Sequence, residues 1–174
     1  QSFGSDGTVK THFPGVDNTG SSATSVALQT DGKLVVGGYY KKNDRTPHQF
    51  ALARYNSNGT LDSTFGQAGK VMTGMGLGDA FAFGIAIQSN GRIVLTGYST
   101  STQDHDFSLI GYTSNGTVDS SFGSGGFVTT DFAGATDDIA YAMTLQSDGK
   151  LVVAGKSGEY PENDFAVARY SSNG

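Results

Sequence analysis

Gln146-Ser147-Asp148-Gly149-Lys150-Leu151-Val152-Val153 decides the fold, because an Asp-Gly pair followed by a short β-branched run is a strong local signal for a hairpin. The stretch returns as Gln88-Ser89-Asn90-Gly91-Arg92 and as Gln29-Thr30-Asp31-Gly32-Lys33, at spacings of 58 and 59. Working outward, Phe165-Ala166-Val167-Ala168-Arg169-Tyr170 returns as Phe107-Ser108-Leu109-Ile110-Gly111-Tyr112 and as Phe50-Ala51-Leu52-Ala53-Arg54-Tyr55. A third block runs from Ser57 to Gly66 and again from Ser114 to Gly123; its third copy is split, with Ser172-Asn173-Gly174 as its beginning and Gln1-Ser2-Phe3-Gly4 as its end. A fixed period of this kind marks an array of supersecondary units. The 174 residues therefore form a single repeat domain of three units, about 1–60, 61–117 and 118–174.

Each unit reads as four strands. In the second they lie at about 69–73, 83–88, 92–98 and 106–112, the middle two joined by Asn90-Gly91 in an expected type I′ turn. The third strand is apolar at consecutive positions, Ile93-Val94-Leu95, which requires burial on both faces. No stretch carries a helical apolar stripe, so the class is all-β. Four-stranded antiparallel units covered on both faces by their neighbours fit the blades of a β-propeller. A parallel β-helix is disfavoured by the hairpins and by the length of the repeat. Three blades are too few for a ring, which takes about four to eight. The ring is expected to be completed by a second copy, as a six-bladed homodimer, or by a longer parent chain of which this is a segment.

The pattern F-G-x-x-G-x-V-x-T-x-F, then L-Q-x-D-G-K-L-V-V-A-G, then D-F-A-V-A-R-Y-x-x-N-G, resembles the delta-60 repeat of bacterial secreted and surface proteins, most fully over Ser121 to Gly174. The resemblance covers all three units. It implies a propeller-type fold and an exported protein, extracellular or at the cell surface, and it brings no reaction with it. Gln49 stands where the other units have Asp106 and Asp164, and Gly111 stands where they have Arg54 and Arg169.

Composition narrows the function. Eleven Lys and Arg against sixteen Asp and Glu give a net charge of −5, leaving no basic field for nucleic acid. The apolar runs are far short of the roughly 20 residues of a membrane helix. With no Cys there is neither thiolate catalysis nor a thiolate metal site, and no calcium loop, nucleophile elbow or phosphate loop is present. No catalytic residue, metal site or cofactor is assigned.

In an up-and-down blade the Asp-Gly hairpins and Asn-Gly-Thr connectors share one end, and the loops that differ between units share the other. Those loops are Pro14 to Thr24, Gly74 to Ala82 and Ala133 to Ala140, with Lys41 to Gln49, Ser99 to Asp106 and Lys156 to Asp164. Function concentrates on loops held by a rigid scaffold. The expected role is a non-catalytic binding module, with a glycan or protein ligand on this face, held by Tyr40, His48, Asp104, His105, Glu159, Tyr160 and Glu162. Two alternatives are a polysaccharide-acting hydrolase or lyase using loop carboxylates, and a purely structural self-assembling repeat. Arg54 and Arg169 are expected at blade edges, pairing with a connector Asp such as Asp62 or Asp119.

Overall fold

A computed structural model describes residues 3–14, 20–76, 78–100, 104–132 and 136–174. Parts of the variable loops (15–19, 77, 101–103 and 133–135), together with Gln1 and Ser2, lie outside the described residues. The described chain contains eleven strands and no helix. A first sheet holds β1 (Gly20–Leu28), β2 (Leu34–Lys41), β3 (Gln49–Tyr55) and β4 (Lys70–Thr73), in that order. A second repeats it with β5 (Ala80–Ile87), β6 (Ile93–Thr100), β7 (His105–Tyr112) and β8 (Phe127–Thr130). A third has β9 (Ile139–Leu145), β10 (Leu151–Ser157) and β11 (Asp164–Tyr170), and among the described residues no fourth strand. All pairings are antiparallel. The architecture is that of three successive propeller blades.

Two expectations are corrected. The short strand after each Phe-Gly turn does not open its own unit. It closes the preceding sheet, β4 pairing with β3 through Phe50↔Thr73 to Ala53↔Lys70, and β8 with β7 through Phe107↔Thr130 to Ile110↔Phe127. Each four-stranded sheet therefore straddles an expected unit boundary. The connector after β3 folds back on that strand, Asp62 N–H donating to the Arg54 carbonyl and Arg54 N–H to that of Gly69, and this directs the returning chain to the outer edge.

The hairpin turn also differs. Only the glycine has positive φ, +84° at Gly91, while Asn90 stays outside the left-handed region. Gly91 N–H donates to Gln88 O at 2.9 Å, and Gln88 N–H to Arg92 O at 2.8 Å. This is a type I turn followed by a left-handed glycine, the three-residue hairpin form. The Asn90 side chain selects it by accepting from Arg92 N–H at 3.0 Å.

The core consists of two cavities between sheets, filled by the same positions of the repeat. Between the first and second sheets Val35, Phe50 and Leu52 meet Ile93, Leu95, Ile110 and Tyr112. Between the second and third, Phe107, Leu109 and Phe122 meet Ala140, Leu151 and Val153. β6 and β7 have sheets on both sides, which accounts for the consecutive apolar residues Ile93-Val94-Leu95. A third cluster on the far face of the first sheet, Tyr40, Ala51, Ala53 and Tyr55, is covered by Phe13.

Each innermost strand carries one bulge, between Ala23 and Ser25, Ala82 and Gly84, and opposite the step from Ala154 to Gly155. Opposite the second bulge the Phe81 carbonyl comes so close to β6 that a Cβ on Gly97 would lie 1.8 Å from it, so only glycine fits.

Candidate functional site

Antiparallel pairing places the ends of β2, β4 and β6 beside the starts of β3, β5 and β7, so the variable loops gather at one end of the sheets. At that end His48, just before β3, binds Asp79, just before β5. Its backbone N–H and ring Nδ1 reach Asp79 Oδ1 at 2.6 and 2.9 Å. His105 repeats the arrangement one sheet on, with Nδ1 at 2.5 Å from Asp137 Oδ1. Backbone bonds run alongside, Ala80 N–H to His48 O and Asp138 N–H to His105 O. Burial acts to raise the Asp79 carboxyl, but the two His48 contacts outweigh it and hold the group below its ordinary value.

Around these pairs lies a continuous row of rings. His48 packs on Tyr39 and Phe81, Phe81 stacks on Tyr98 with centroids 5.1 Å apart, and Tyr98 meets His105 edge-on at 4.6 Å. Phe83 then links Tyr98 to Tyr141 on β9. Phe83 and Tyr141 occupy the bulge positions of their strands, so the bulge sets where the row leaves β5 and reaches the third sheet. The row crosses from the first sheet to the third and ends on Tyr141, which is 50% exposed.

The expected site residues divide. His48 and His105 lie in the row. Tyr40 does not: it is 3% exposed, packs against Phe13 and donates its hydroxyl to the Pro14 carbonyl. That places it in the core, a correction whose cause is strand alternation, since neighbours on a strand face opposite ways and Tyr39 is the one turned toward the second sheet. Asp104 stands half-buried beside His105. Glu159, Tyr160 and Glu162 are exposed on the loop between β10 and β11, beside a depression of about 320 Å³ that Thr136 also lines. The loop is tied to the His105 pair through Gly158 N–H, which donates to Asp137 O.

Sequence reasoning missed Tyr39, Phe81, Tyr98 and Asp79. A usable signal existed for Tyr39 and Tyr98, which recur at the repeat spacing as the two histidines do.

Asp106, Asp131 and Asp138 each offer an oxygen, all within 4.8 Å of one another, and are the described set that could surround a cation. Asp138 is fully buried and accepts from Phe132 N–H at 2.6 Å. Burial raises the Asp106 carboxyl above its ordinary value, and the neighbouring carboxylates Asp104, Asp131 and Asp138 add to the shift.

At the opposite end the side chains are engaged in joining sheets. Arg54 lies over Phe65, binds Asp62 through Nε at 2.9 Å as expected, and reaches the Ser114 carbonyl at 2.6 Å. In the second sheet Gly111 replaces that arginine, and Arg92 takes over from the hairpin, binding Asp119 at 2.7 Å and the Ser172 carbonyl at 3.0 Å. A depression of about 760 Å³ here is bordered by Gln88 and Arg92, both of which donate to the Ser172 carbonyl just after β11.

Stacked antiparallel four-stranded sheets, packed through repeated apolar faces around inner strands that adjoin one another, define a β-propeller repeat protein. The chain belongs to the family described as Domain of unknown function (DUF5122) beta-propeller, whose family model matches residues 29–65, 88–122 and 146–174. No curated protein matches the chain.

Proposed function

We propose that this propeller segment is a non-catalytic, exported binding module whose ligand, a glycan, lies along the row of rings on the variable end. The carrying observation is the unbroken contact from Tyr39 and His48 through Phe81, Tyr98 and Phe83 to Tyr141. Sugar rings bring apolar C–H faces and hydroxyls together, and partly exposed aromatics beside carboxylates supply a stacking surface and acceptors. Asp104 and the exposed Glu159 and Glu162 stand near the open end. A protein ligand on the same face is the alternative. The resemblance to exported bacterial repeats supports a place outside the cell. The ring proposed for the module is completed by a second copy of the chain, giving six blades, or by a longer parent chain.

Hydrolysis would need a pair of reachable carboxylates. Asp106, Asp131 and Asp138 bring oxygens within 4.8 Å of one another, Asp131 exposed and Asp138 fully buried and bound to a main-chain N–H, so a polysaccharide-acting hydrolase using Asp106 and Asp131 is the second reading.

The test is calorimetric titration of the chain with a panel of neutral and acidic oligosaccharides, alongside Tyr141→Ala and the double variant Glu159→Gln/Glu162→Gln. Tyr141 is half exposed, so its removal spares the fold. A glycan that binds the wild type and loses about tenfold in affinity with Tyr141→Ala, roughly 1.4 kcal/mol, is expected. Binding indifferent to Tyr141 removes the row from the site, and heat with no glycan of the panel overturns the glycan reading.

A further inference from the structure

The carboxylates of Asp106, Asp131 and Asp138 come from three segments that meet at the variable end, between the second and third sheets. Asp106 is the second residue of β7, Asp131 follows β8 and Asp138 precedes β9. Each brings an oxygen within 4.8 Å of the others, and their exposure is graded: Asp138 is fully buried, Asp106 half-buried and Asp131 exposed. The segment after β8 is pinned here by Phe132, which packs edge-on against the buried Phe107 with centroids 5.0 Å apart and donates its N–H to Asp138 Oδ2 at 2.6 Å.

The second oxygen of Asp138 is different. Asp138 Oδ1 is buried and accepts no hydrogen bond from any described residue, although its carboxylate faces two others. A buried anion persists only where donors, a proton or a cation compensate it. Among the described residues no Lys or Arg forms an ion pair with Asp106 or Asp138, and His105, next to Asp106 in the chain, gives its Nδ1 to Asp137.

The repeat supplies a control within the same chain. Strand register makes Gln49, Gly74 and Ala80 the counterparts of Asp106, Asp131 and Asp138: Gln49 precedes Phe50, Gly74 follows Thr73, and Ala80 N–H donates to His48 O as Asp138 N–H donates to His105 O. None of the three carries a charge. Between the first and second sheets this place is closed by ordinary packing, with Ala80 in the core cluster and the Gln49 side chain against Gly74, where an added Cβ would meet Gln49 Nε2 at 3.4 Å. The same backbone frame is thus built without acids at one boundary and with acids at all three positions at the next, so the fold does not require them.

We infer that Asp106, Asp131 and Asp138 hold a calcium ion between the second and third sheets. Carboxylate oxygens are hard donors that suit calcium or magnesium rather than zinc or copper, and the chain has no Cys to add a soft one. Oxygens on opposite sides of a calcium ion stand about 4.6–5.2 Å apart, twice its usual bond length, so oxygens within 4.8 Å of one another need little movement to enclose it. Calcium accepts an irregular set of ligands, whereas magnesium demands a near-ideal octahedron. Buried Asp138 is the inner ligand and exposed Asp131 the outer one, so water completes the shell from the solvent side. The ion ties the segment after β8 to the start of β9, and it takes up the carboxylates that hydrolysis would need. It does not rest on the glycan reading.

The test is calorimetric titration of the chelator-stripped chain with calcium chloride and, separately, magnesium chloride, without glycan, with melting followed by circular dichroism. The triple variant Asp106→Gln/Asp131→Gly/Asp138→Ala gives the second boundary the residues of the first, which keeps the fold, and Asp131→Asn removes one charge at an exposed position. Expected are one calcium per chain, weaker magnesium binding, a loss of about tenfold in calcium affinity with Asp131→Asn, and no calcium binding in the triple variant. Calcium at 100 times its Kd should raise the wild-type melting temperature by about 5 °C and leave that of the triple variant unchanged. Asp106→Asn should melt above wild type in chelator and below it in calcium. A wild type that takes up no calcium overturns the inference. Calcium binding that persists in the triple variant overturns the site, and tighter binding of magnesium overturns the choice of ion.

Discussion

His48 binds Asp79 twice, through its backbone N–H at 2.6 Å and its ring Nδ1 at 2.9 Å, across the boundary between the first and second sheets. The side chains are 24% and 44% exposed, so water weakens the ring contact while the backbone contact fixes the geometry. Because both bonds end on one carboxylate oxygen, the two side chains are coupled. In a double-mutant cycle, His48→Ala and Asp79→Ala are each expected to lower unfolding stability by about 1 kcal/mol, and the pair together by less than the sum. Urea denaturation measures this, and strict additivity would mean that the ring contact contributes nothing.

Gly111 stands where the first sheet has Arg54. A Cβ there would lie 2.6 Å from Phe122 Cγ, and the guanidinium that serves Asp119 already comes from Arg92. Gly111→Arg is therefore expected to destabilise by about 1–3 kcal/mol through overpacking. Adding Arg92→Lys restores the pairing of the first sheet, where Lys33 and Arg54 share Asp62, and should recover part of the loss. Equal stability of wild type and Gly111→Arg in urea would refute the packing argument.

Asp106 predicts an alkaline-side cost. Burial and its acidic neighbours raise its carboxyl above 3.8, so the folded state holds the proton more tightly than the unfolded one. Stability from that difference is present below the ordinary value and is lost as pH rises through the raised one. Asp106→Asn should melt higher than wild type at neutral pH, and the advantage should vanish below pH 3.8. A variant that melts lower than wild type at neutral pH would contradict this.

Asp119 predicts the opposite sign. The Ser121 hydroxyl, with Arg92 and the Ser121 N–H, holds its carboxyl down to about 2 from 3.8. Its contribution is complete above 3.8 and disappears as pH falls toward 2. The difference in melting temperature between wild type and Asp119→Asn should therefore shrink across that interval, modestly because the pair is reached by solvent. A difference that stays constant across the interval would place the Asp119 contribution elsewhere than in its charge.

Much of the architecture is legible in the residues themselves. The recurrence of Asp-Gly or Asn-Gly turns, of Phe-x-Leu or Phe-x-Val strands and of Phe-Gly connectors is local information, carried by turn chemistry, alternation and spacing, and it determined an all-β array of three similar units. The segregation of varied and repeated loops to opposite ends followed from antiparallel order alone. His48 and His105 were found because they recur at the repeat spacing.

Tertiary structure decided what depends on which strand lies beside which. Whether Thr73 pairs with Phe50 or with the strand after it rests on how the Asp62 connector folds back, and no pattern within the short strand distinguishes the two. Whether Tyr39 or Tyr40 faces the next sheet depends on the parity of a strand relative to a bulge in its neighbour, and a shift of one residue exchanges the faces. The row of rings joins residues from three sheets, and Asp79 and Asp137 gain their roles only because the following sheet packs against the histidines. Propensity and spacing act within a few residues of the chain, whereas the row of rings arises from packing between blades, where the distances are set by the cores beneath it.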